Sequence, residues 1–341
     1  MKRSSSATLH DVAKMAGVHF STVSRALDPE KRAMVSPEVV KRVLSAASTL
    51  RYHRNEAAVG LRTRKSWLIN ILVPDLSQPI YAAMVGGIRE RLVNSRYVAI
   101  VGDEKRVIGQ ERYSLRAMKM RPIGGLIVAT AQLRDKFVDE AVSEQVPLVQ
   151  VLRATKKQCS PTVLVDFAQG VRAAVNILRA HGHVRIVLIT HPANVSPAQA
   201  QKDGFKAAMA DSSIDVVKEQ WEAASDESIE AGRQAFLQLC RRFPKPTAVI
   251  AATDHLAIGA IDAAHSLGLS CPEQVSVVGF GDYPLVDRIS PPLSTMKVDY
   301  ARIGRLAADL IIRELTESRS SQIHNLVEPE LVLRGSIGPL S

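Results

Sequence analysis

At 341 residues the chain is long enough for two or three globular units with real cores, and 46% hydrophobic with 23% charged residues is the balance of a soluble globular protein. Charge is local: residues 1–66 hold 13 Lys+Arg against 5 Asp+Glu, so +8 of the net +10 lies there and a polyanionic partner is expected at that end. Cys159, Cys240 and Cys271 have no paired spacing, Met1-Lys2-Arg3 is followed by serines rather than an apolar run, and no apolar stretch approaches the ~18 residues of a membrane span; neither a disulfide framework nor export nor a membrane span is expected, and a reducing cytoplasm fits best.

The first predicted elements lie between Thr8 and Leu27. Leu9, Val12, Ala13 and Ala16 share one helix face, Thr8 and Asp11 are spaced as a capping box, and Gly17 stops the helix. A second short helix from about His19 or Phe20 buries Val23, Ala26 and Leu27 and leaves Phe20, Ser21, Ser24 and Arg25 on the opposite face. This is the pattern of a helix-turn-helix, and the open face has DNA-reading chemistry. Arg25 can fork onto guanine, Phe20 can touch a thymine methyl, Ser21 can serve either pair, and His19, Thr22 and Ser24 can hold phosphates. A helical hairpin packed on a domain, with an ordinary polar outer face, would show the same local pattern.

Asp28 to Met34 reads as a loop, ended by Ser36 as N-cap, Pro37 at N1 and Glu38 in the first turn of a third helix. Val39, Val40, Val43, Leu44, Ala47 and Leu50 form its wide apolar face. The head thus spans 1–52. Residues 53–66 are a basic linker with a helical heart from Asn55 to Leu61, too short to be stable alone in water.

From Trp67 the texture changes to apolar strands alternating with amphipathic helices. Strands are expected at 68–73, 98–101, 126–129, 148–151, 162–166, 185–190, 216–221, 247–252 and 275–280. Helices are expected near 80–95, 110–120, 133–144, 167–181, 198–210, 229–242, 254–267 and 300–316. Such alternation implies two parallel sheets with helices on both faces, within a core of 67–341. Trp67 and Trp221 read as core residues rather than ligand platforms.

Several stretches, in this order and spacing, resemble the LacI/GalR family of bacterial transcription regulators: DVAKMAGVHFSTVSRAL, RYHRNEAAVGLRTRKS, GGLIVA, HGHVRIVLIT, DGFKAAM, TDHLAIGAIDAAHSLGLSCPEQVSVVGFGD and PPLSTMKVD. The resemblance covers essentially the whole chain. It implies an α/β core of two doubly wound parallel-sheet subdomains, like the periplasmic sugar-binding proteins, behind an all-α helix-turn-helix head and a hinge helix. The chain would cross back near 293, giving an N-subdomain of about 67–166 and 295–326 and a C-subdomain of about 167–294 and 327–341.

The resemblance also implies functional positions. Base readout falls to Phe20, Ser21 and Arg25, and backbone contacts to His19, Thr22, Ser24, Tyr52, Arg54 and Asn55. Ala58 and Leu61 would enter the minor groove from the hinge. Arg54 stands where the family usually has proline, and Gly60 lies inside the hinge helix at a cost of ~1 kcal/mol relative to alanine, so both loosen the free hinge. In the cleft, sugar-binding members use an acid after the fourth strand, an Arg before the GF pair, an Asn before the acid of the NDxxAxG stretch and an Asp after VVGF. Here those positions hold Leu152, Gln201, Thr253 and Gly281, while Asp254 keeps its place. So few polar anchors suit a sugar poorly. The expected occupant is a less polar or differently charged small molecule held by Ile80, Tyr81, Gln201, Thr253 and Asp254, or none.

Enzyme signatures are missing: no GxSxG elbow, no GxxxxGKS/T phosphate loop and no GxGxxG after the first strand. His181 and His183 lack helix-spaced partners, so neither a metal site nor a cofactor is expected. No leucine heptad follows Leu333, so the expectation is a two-fold dimer on a near-palindromic operator. A cytoplasmic solute binder without DNA function and an α/β enzyme with a regulatory head are the competing readings, opposed by the head and by the missing catalytic motifs.

Overall fold

The computed structural model describes residues 7–28, 31–52, 66–103, 124–157, 159–211, 220–243, 245–317 and 323–340; the helix expected at 110–120, most of the strand expected at 216–221 and hinge residues 53–65 lie outside these. The chain divides into two compact units, Met1–Ser66 and Trp67–Ser341.

In the first unit, α1 (Leu9–Ala16) begins with the capping box: Thr8 Oγ1 accepts from the Asp11 N–H at 3.3 Å, and Asp11 Oδ2 accepts from the Thr8 N–H at 2.8 Å. Gly17, at φ 64°, ends the helix in the left-handed conformation that glycine adopts without strain. Helices α2 (Phe20–Ala26) and α3 (Pro37–Thr49) complete a core made largely of small side chains: Val12, Ala13, Ala16, Val23, Ala26, Val43, Ala46 and Ala47. Two details differ from the sequence pattern. Ser36 makes no side-chain cap bond, so Pro37 at N1 starts α3. Leu44 is 40% exposed and Ala46 is buried instead, because two short helices cannot cover the whole apolar face of α3.

The second unit runs β1 (Leu68–Val73), α4 (Pro79–Leu92), β2 (Val98–Asp103), β3 (Gly125–Val128), α5 (Lys136–Ser143), β4 (Leu148–Val151), β5 (Thr162–Val165) and α6 (Phe167–Ala180). There follow β6 (Ile186–Thr190), α7 (Ser196–Asp211), β7 (Trp221–Ala223), α8 (Ile229–Arg242), β8 (Ala248–Ala251), α9 (Asp254–Ser266) and β9 (Ser276–Gly281). The last elements are β10 (Ser294–Lys297), α10 (Tyr300–Thr316), β11 (His324–Val327) and β12 (Glu330–Val332). One six-stranded sheet has the order β11-β5-β4-β3-β1-β2 and the other β12-β10-β9-β8-β6-β7. All pairs are parallel except β10 with β12. Strands β3, β4, β6, β8 and β9 are buried along their whole length, as strands covered by helices on both faces must be.

The second sheet corrects one boundary. Ser294–Lys297 pairs with β9 in register, Thr295 opposite Gly279, so the chain returns to the first sheet after Lys297 rather than near 293. Helix α10 then packs on α4, β3 and β4 of the first sheet. Of the strand expected at 216–221 only Gln220 and Trp221 are described, and a strand runs over Trp221–Ala223. Among the described residues no helix is long and apolar enough to cross a membrane.

Helices α4 and α10 meet backbone to backbone. A methyl group on Gly304 would lie 2.0 Å from Met84 O, and one on Gly87 would lie 2.0 Å from Ala301 O. Gly304→Ala should therefore force the helices apart and cost on the order of 3 kcal/mol, read as a lowered urea midpoint of the full chain. A midpoint equal to the wild type would mean that the helices separate freely.

Candidate functional site

The head presents α2. Its N-cap is His19, whose Nδ1 accepts from the Ser21 N–H at 3.4 Å and lies 2.8 Å from Ser21 Oγ. Imidazoles flank Phe20, with His10 stacked at 5.2 Å between ring centroids and His19 tilted at 4.2 Å, yet Phe20 remains 41% exposed. Arg25 is exposed one helical turn on, and Ser21, Thr22 and Ser24 are half-buried. The helix is anchored from beneath by fully buried Val23 and Ala26. His19 was expected at a phosphate; its Nδ1 is instead occupied in capping, which leaves Nε2 for any outside contact. Tyr52 is half-buried against the head core and donates its N–H to Ala47 O at 2.8 Å. Arg54, Asn55, Ala58 and Leu61 lie outside the described residues.

In the core unit a cavity of about 320 Å³ lies between the carboxyl ends of the two sheets. This is where open parallel sheets take ligands. The first sheet contributes Asp75, Gln78, Tyr81, Thr130, Gln132 and Arg153, and the second Asn194, Val195, Ser225, Asp226 and Glu227. A smaller void of about 20 Å³ shares Tyr81, Arg153 and Glu227 and is otherwise walled by Ile80, Leu152, Phe167, His191, Thr253, Tyr283 and Tyr300, among others.

An ion pair joins the lobes: Arg153 Nη2 lies 2.6 Å from Glu227 Oε1, with 15% and 12% of the two side chains exposed. Burial, the largest single influence, lowers the Arg153 pKa, but the Glu227 carboxylate together with the Tyr81 and Tyr283 hydroxyls more than offsets it and holds the guanidinium charged. His191 Nε2 is 3.7 Å from the same oxygen. Burial lowers the His191 pKa, so the ring is neutral at pH 7, and Gln201 Oε1 accepts from the His191 backbone N–H at 3.2 Å and from the ring Nδ1 at 3.1 Å. The Tyr81, Tyr283 and Tyr300 phenols are pushed up by burial and stay protonated.

Of the five residues expected to hold an effector, Ile80, Tyr81 and Thr253 line the inner void. Gln201 and Asp254 line neither space. Gln201 is fully buried and fixes His191; Asp254 is fully buried and accepts from the Tyr283 N–H at 2.7 Å and from Thr295 Oγ1 at 2.6 Å. Each supports a wall residue. Thr253 caps α9 by accepting from the Leu256 N–H at 3.2 Å. Nor is the cleft poor in polar anchors, as Leu152, Gln201, Thr253 and Gly281 suggested. Leu152 sits at φ 62°, a left-handed kink that brings the next residue, Arg153, into the cleft. The acid after VVGFG, Asp282, is 2.6 Å from Arg334 instead. Trp67 lies under Arg96 and Trp221 under Lys206, both outside the cleft lining.

Burial raises the Asp254 pKa from 3.8 to about 6. With the folded value above the unfolded one, the native state holds the proton more tightly. Its stabilising contribution is complete below about pH 4 and is lost as pH rises through 6. Asp254→Asn should remove this decline, worth about 3 kcal/mol at most, from urea midpoints measured between pH 4 and 7. An unaltered pH profile would mean that Asp254 titrates normally.

Residues 8–55 match the family model for bacterial regulatory proteins of the lacI family, and residues 175–337 match that for a periplasmic binding protein-like domain. The chain is 31% identical over 339 residues to the HTH-type transcriptional repressor CytR of Escherichia coli (strain K12), covering 98% of this chain and 97% of that one. The chain belongs to the LacI family. A second LacI-family relative, the HTH-type transcriptional regulator MalR of Streptomyces coelicolor, is 31% identical over 336 residues, 96% of each chain. The fold matches a lac repressor dimer bound to operator and the anti-inducer ONPF with a TM-score of 0.79 and 25% identity over 97% of this chain and 98% of that one. As a LacI-family member the chain is a DNA-binding transcription regulator with an effector-binding core, and not an enzyme.

Proposed function

We propose that the chain is a cytoplasmic homodimeric repressor that binds a near-palindromic operator and whose affinity for it is modulated by a small molecule in the core cleft. The observation that carries the DNA half is the open face of α2: exposed Phe20 and Arg25 beside Ser21, on a unit holding +8 of the chain's +10. Phe20, Ser21 and Arg25 read bases in the major groove; His19 through Nε2, with Thr22, Ser24, Tyr52, Arg54 and Asn55, holds the backbone. Leu61, with Ala58, wedges into the minor groove from the hinge, where unstacking a base step is repaid by bent DNA and added contacts. The lac repressor structure it resembles is a dimer on operator, which supports the same arrangement here. Closure of the cleft is the two-state element, and an effector acts by binding its two forms unequally.

The test is a gel shift on the DNA upstream of the chain's own gene at two salt concentrations. A two-fold site with salt-sensitive affinity is expected, and no shift or a salt-independent one would refute the reading. Leu61→Ala should weaken that site by roughly tenfold or more, leaving non-specific binding and the helical circular dichroism unchanged. Unaltered operator affinity would show that the hinge makes no such contact.

A further inference from the structure

Phe20 differs from the other readers in that no hydrogen bond can aim it. A phenyl ring carries neither donor nor acceptor, so on a surface helix packing alone sets its direction. Phe20 is 41% exposed at the first position of α2, on the face away from the buried anchors Val23 and Ala26. Its ring partners among the described residues are the two imidazoles, and they differ in origin. His19 is the preceding residue, and its ring is engaged in the cap of α2, with Nδ1 2.8 Å from Ser21 Oγ. His10 comes from α1. Its ring stacks on Phe20 at an interplanar angle of 26° and a centroid distance of 5.2 Å, and so ties the reading face to the other helix of the motif. Offset rings at such a separation attract beyond the area they bury. The backbone that carries His10 is itself fixed. It lies between the members of the capping box, where Asp11 Oδ2 accepts from the Thr8 N–H at 2.8 Å and from Thr8 Oγ1 at 2.7 Å. Val12 and Ala13, which follow, are buried in the head core. His10 is exposed, so its ring is held firmly without serving that core.

We propose that His10 is a positioning residue for base readout: its ring, stacked on Phe20 from α1, holds that side chain in the orientation that meets a thymine methyl and so sets part of the operator preference. This role rests on the DNA-binding reading above and adds to it a residue outside the recognition helix. Contact with a methyl group is short-ranged, and carbon atoms more than about 4.5 Å apart gain little. A freely turning Phe20 would have to be ordered on the operator, at a loss of affinity. With His10 against it, that ordering is completed when the head folds. Random DNA presents no methyl group at a fixed place, so the effect falls on specificity rather than on binding as such.

Gel shifts of the full-length protein test this on operator DNA in which each thymine is replaced in turn, in both half-sites, by uracil, which lacks the methyl group. At one position the change should cost the wild type roughly tenfold in affinity. Phe20→Ala should abolish that penalty, and His10→Ala should shrink it to about threefold or less. His10→Ala should also bind the unmodified operator roughly tenfold more weakly while binding random DNA as the wild type does. His10→Phe keeps a flat ring and should restore both operator affinity and the uracil penalty. His10→Gln has comparable reach without a ring and should restore neither. Helical circular dichroism reports that each variant folds. A uracil penalty of wild-type size in His10→Ala overturns the inference, as does full rescue by His10→Gln. A loss shared equally by operator and random DNA overturns it too, since that is the mark of a phosphate contact or of a merely structural role. An operator complex indifferent to every uracil removes the methyl contact and this inference with it, while the DNA-binding reading stands. Only the lack of any two-fold, salt-sensitive site removes that reading as well.

Discussion

Replacing Glu227 with alanine should cost the core roughly 3–5 kcal/mol and bias the cleft toward its open form. Arg153 and Glu227 reach each other from different sheets, and both are mostly buried. Removing one partner leaves the other as an uncompensated charge in a poorly solvated space. Arg153 cannot escape by losing its proton, since its ordinary pKa lies far above neutrality. Its remaining relief is to swing outward with its lobe, so loss of stability and loss of closure should appear together. They would be read as a lowered urea midpoint and an increased radius of gyration in solution scattering. Glu227→Leu combined with Arg153→Met should restore most of the stability, because it removes both charges at similar volume. A single Glu227→Ala variant within 1 kcal/mol of wild type would mean that solvent already screens the pair.

Why this ion pair was invisible in the sequence, while the sheets around it were plain, follows from how far each signal reaches. The buried runs GLIV, LVQV, IVLIT and AVIA specify strands covered on both faces from four or five neighbouring residues. The head was legible for the same reason: Thr8, Asp11 and Gly17 set the ends of α1 within ten residues, and one helical period separates the exposed face of α2 from Val23 and Ala26. The cleft is assembled otherwise. Arg153 and Glu227 are 74 residues apart and meet only because the chain changes sheets between them. The position assigned to a cleft acid is taken by Leu152, whose left-handed backbone hands the site to its neighbour, and no periodicity encodes that kink. Asp254 and Gln201 are polar residues near the cleft in sequence order, but the bond of Asp254 to Tyr283 spans 29 residues and that of Gln201 ties α7 back to His191 at the end of β6, and these bonds turn them into supports. The exposed Leu44 teaches the same point at smaller scale, since a helix pattern gives the apolar width but not how much of it the neighbours can cover.

Replacing Arg25 with alanine should reduce operator affinity by roughly 1–3 kcal/mol per head. In the proposed dimer both heads lose the contact, so the total is about 2–6 kcal/mol, between roughly thirtyfold and twenty-thousandfold. The protein itself should not notice: Arg25 is exposed on a helix anchored by Val23 and Ala26, and surface changes of this kind stay within about 0.5 kcal/mol. The chemistry of the contact separates two roles. If the guanidinium forks onto a base edge, Arg25→Lys keeps the charge but not the fork and should recover little operator affinity, with the salt slope nearly unchanged. If it holds a phosphate, lysine should restore binding, and Arg25→Ala should instead weaken specific and random DNA alike and flatten the salt slope by about one unit per head. Gel shifts of the three proteins on operator and random DNA at two salt concentrations decide between them. Full recovery by lysine would move Arg25 from the readout set to the backbone set and leave Phe20 and Ser21 to carry specificity.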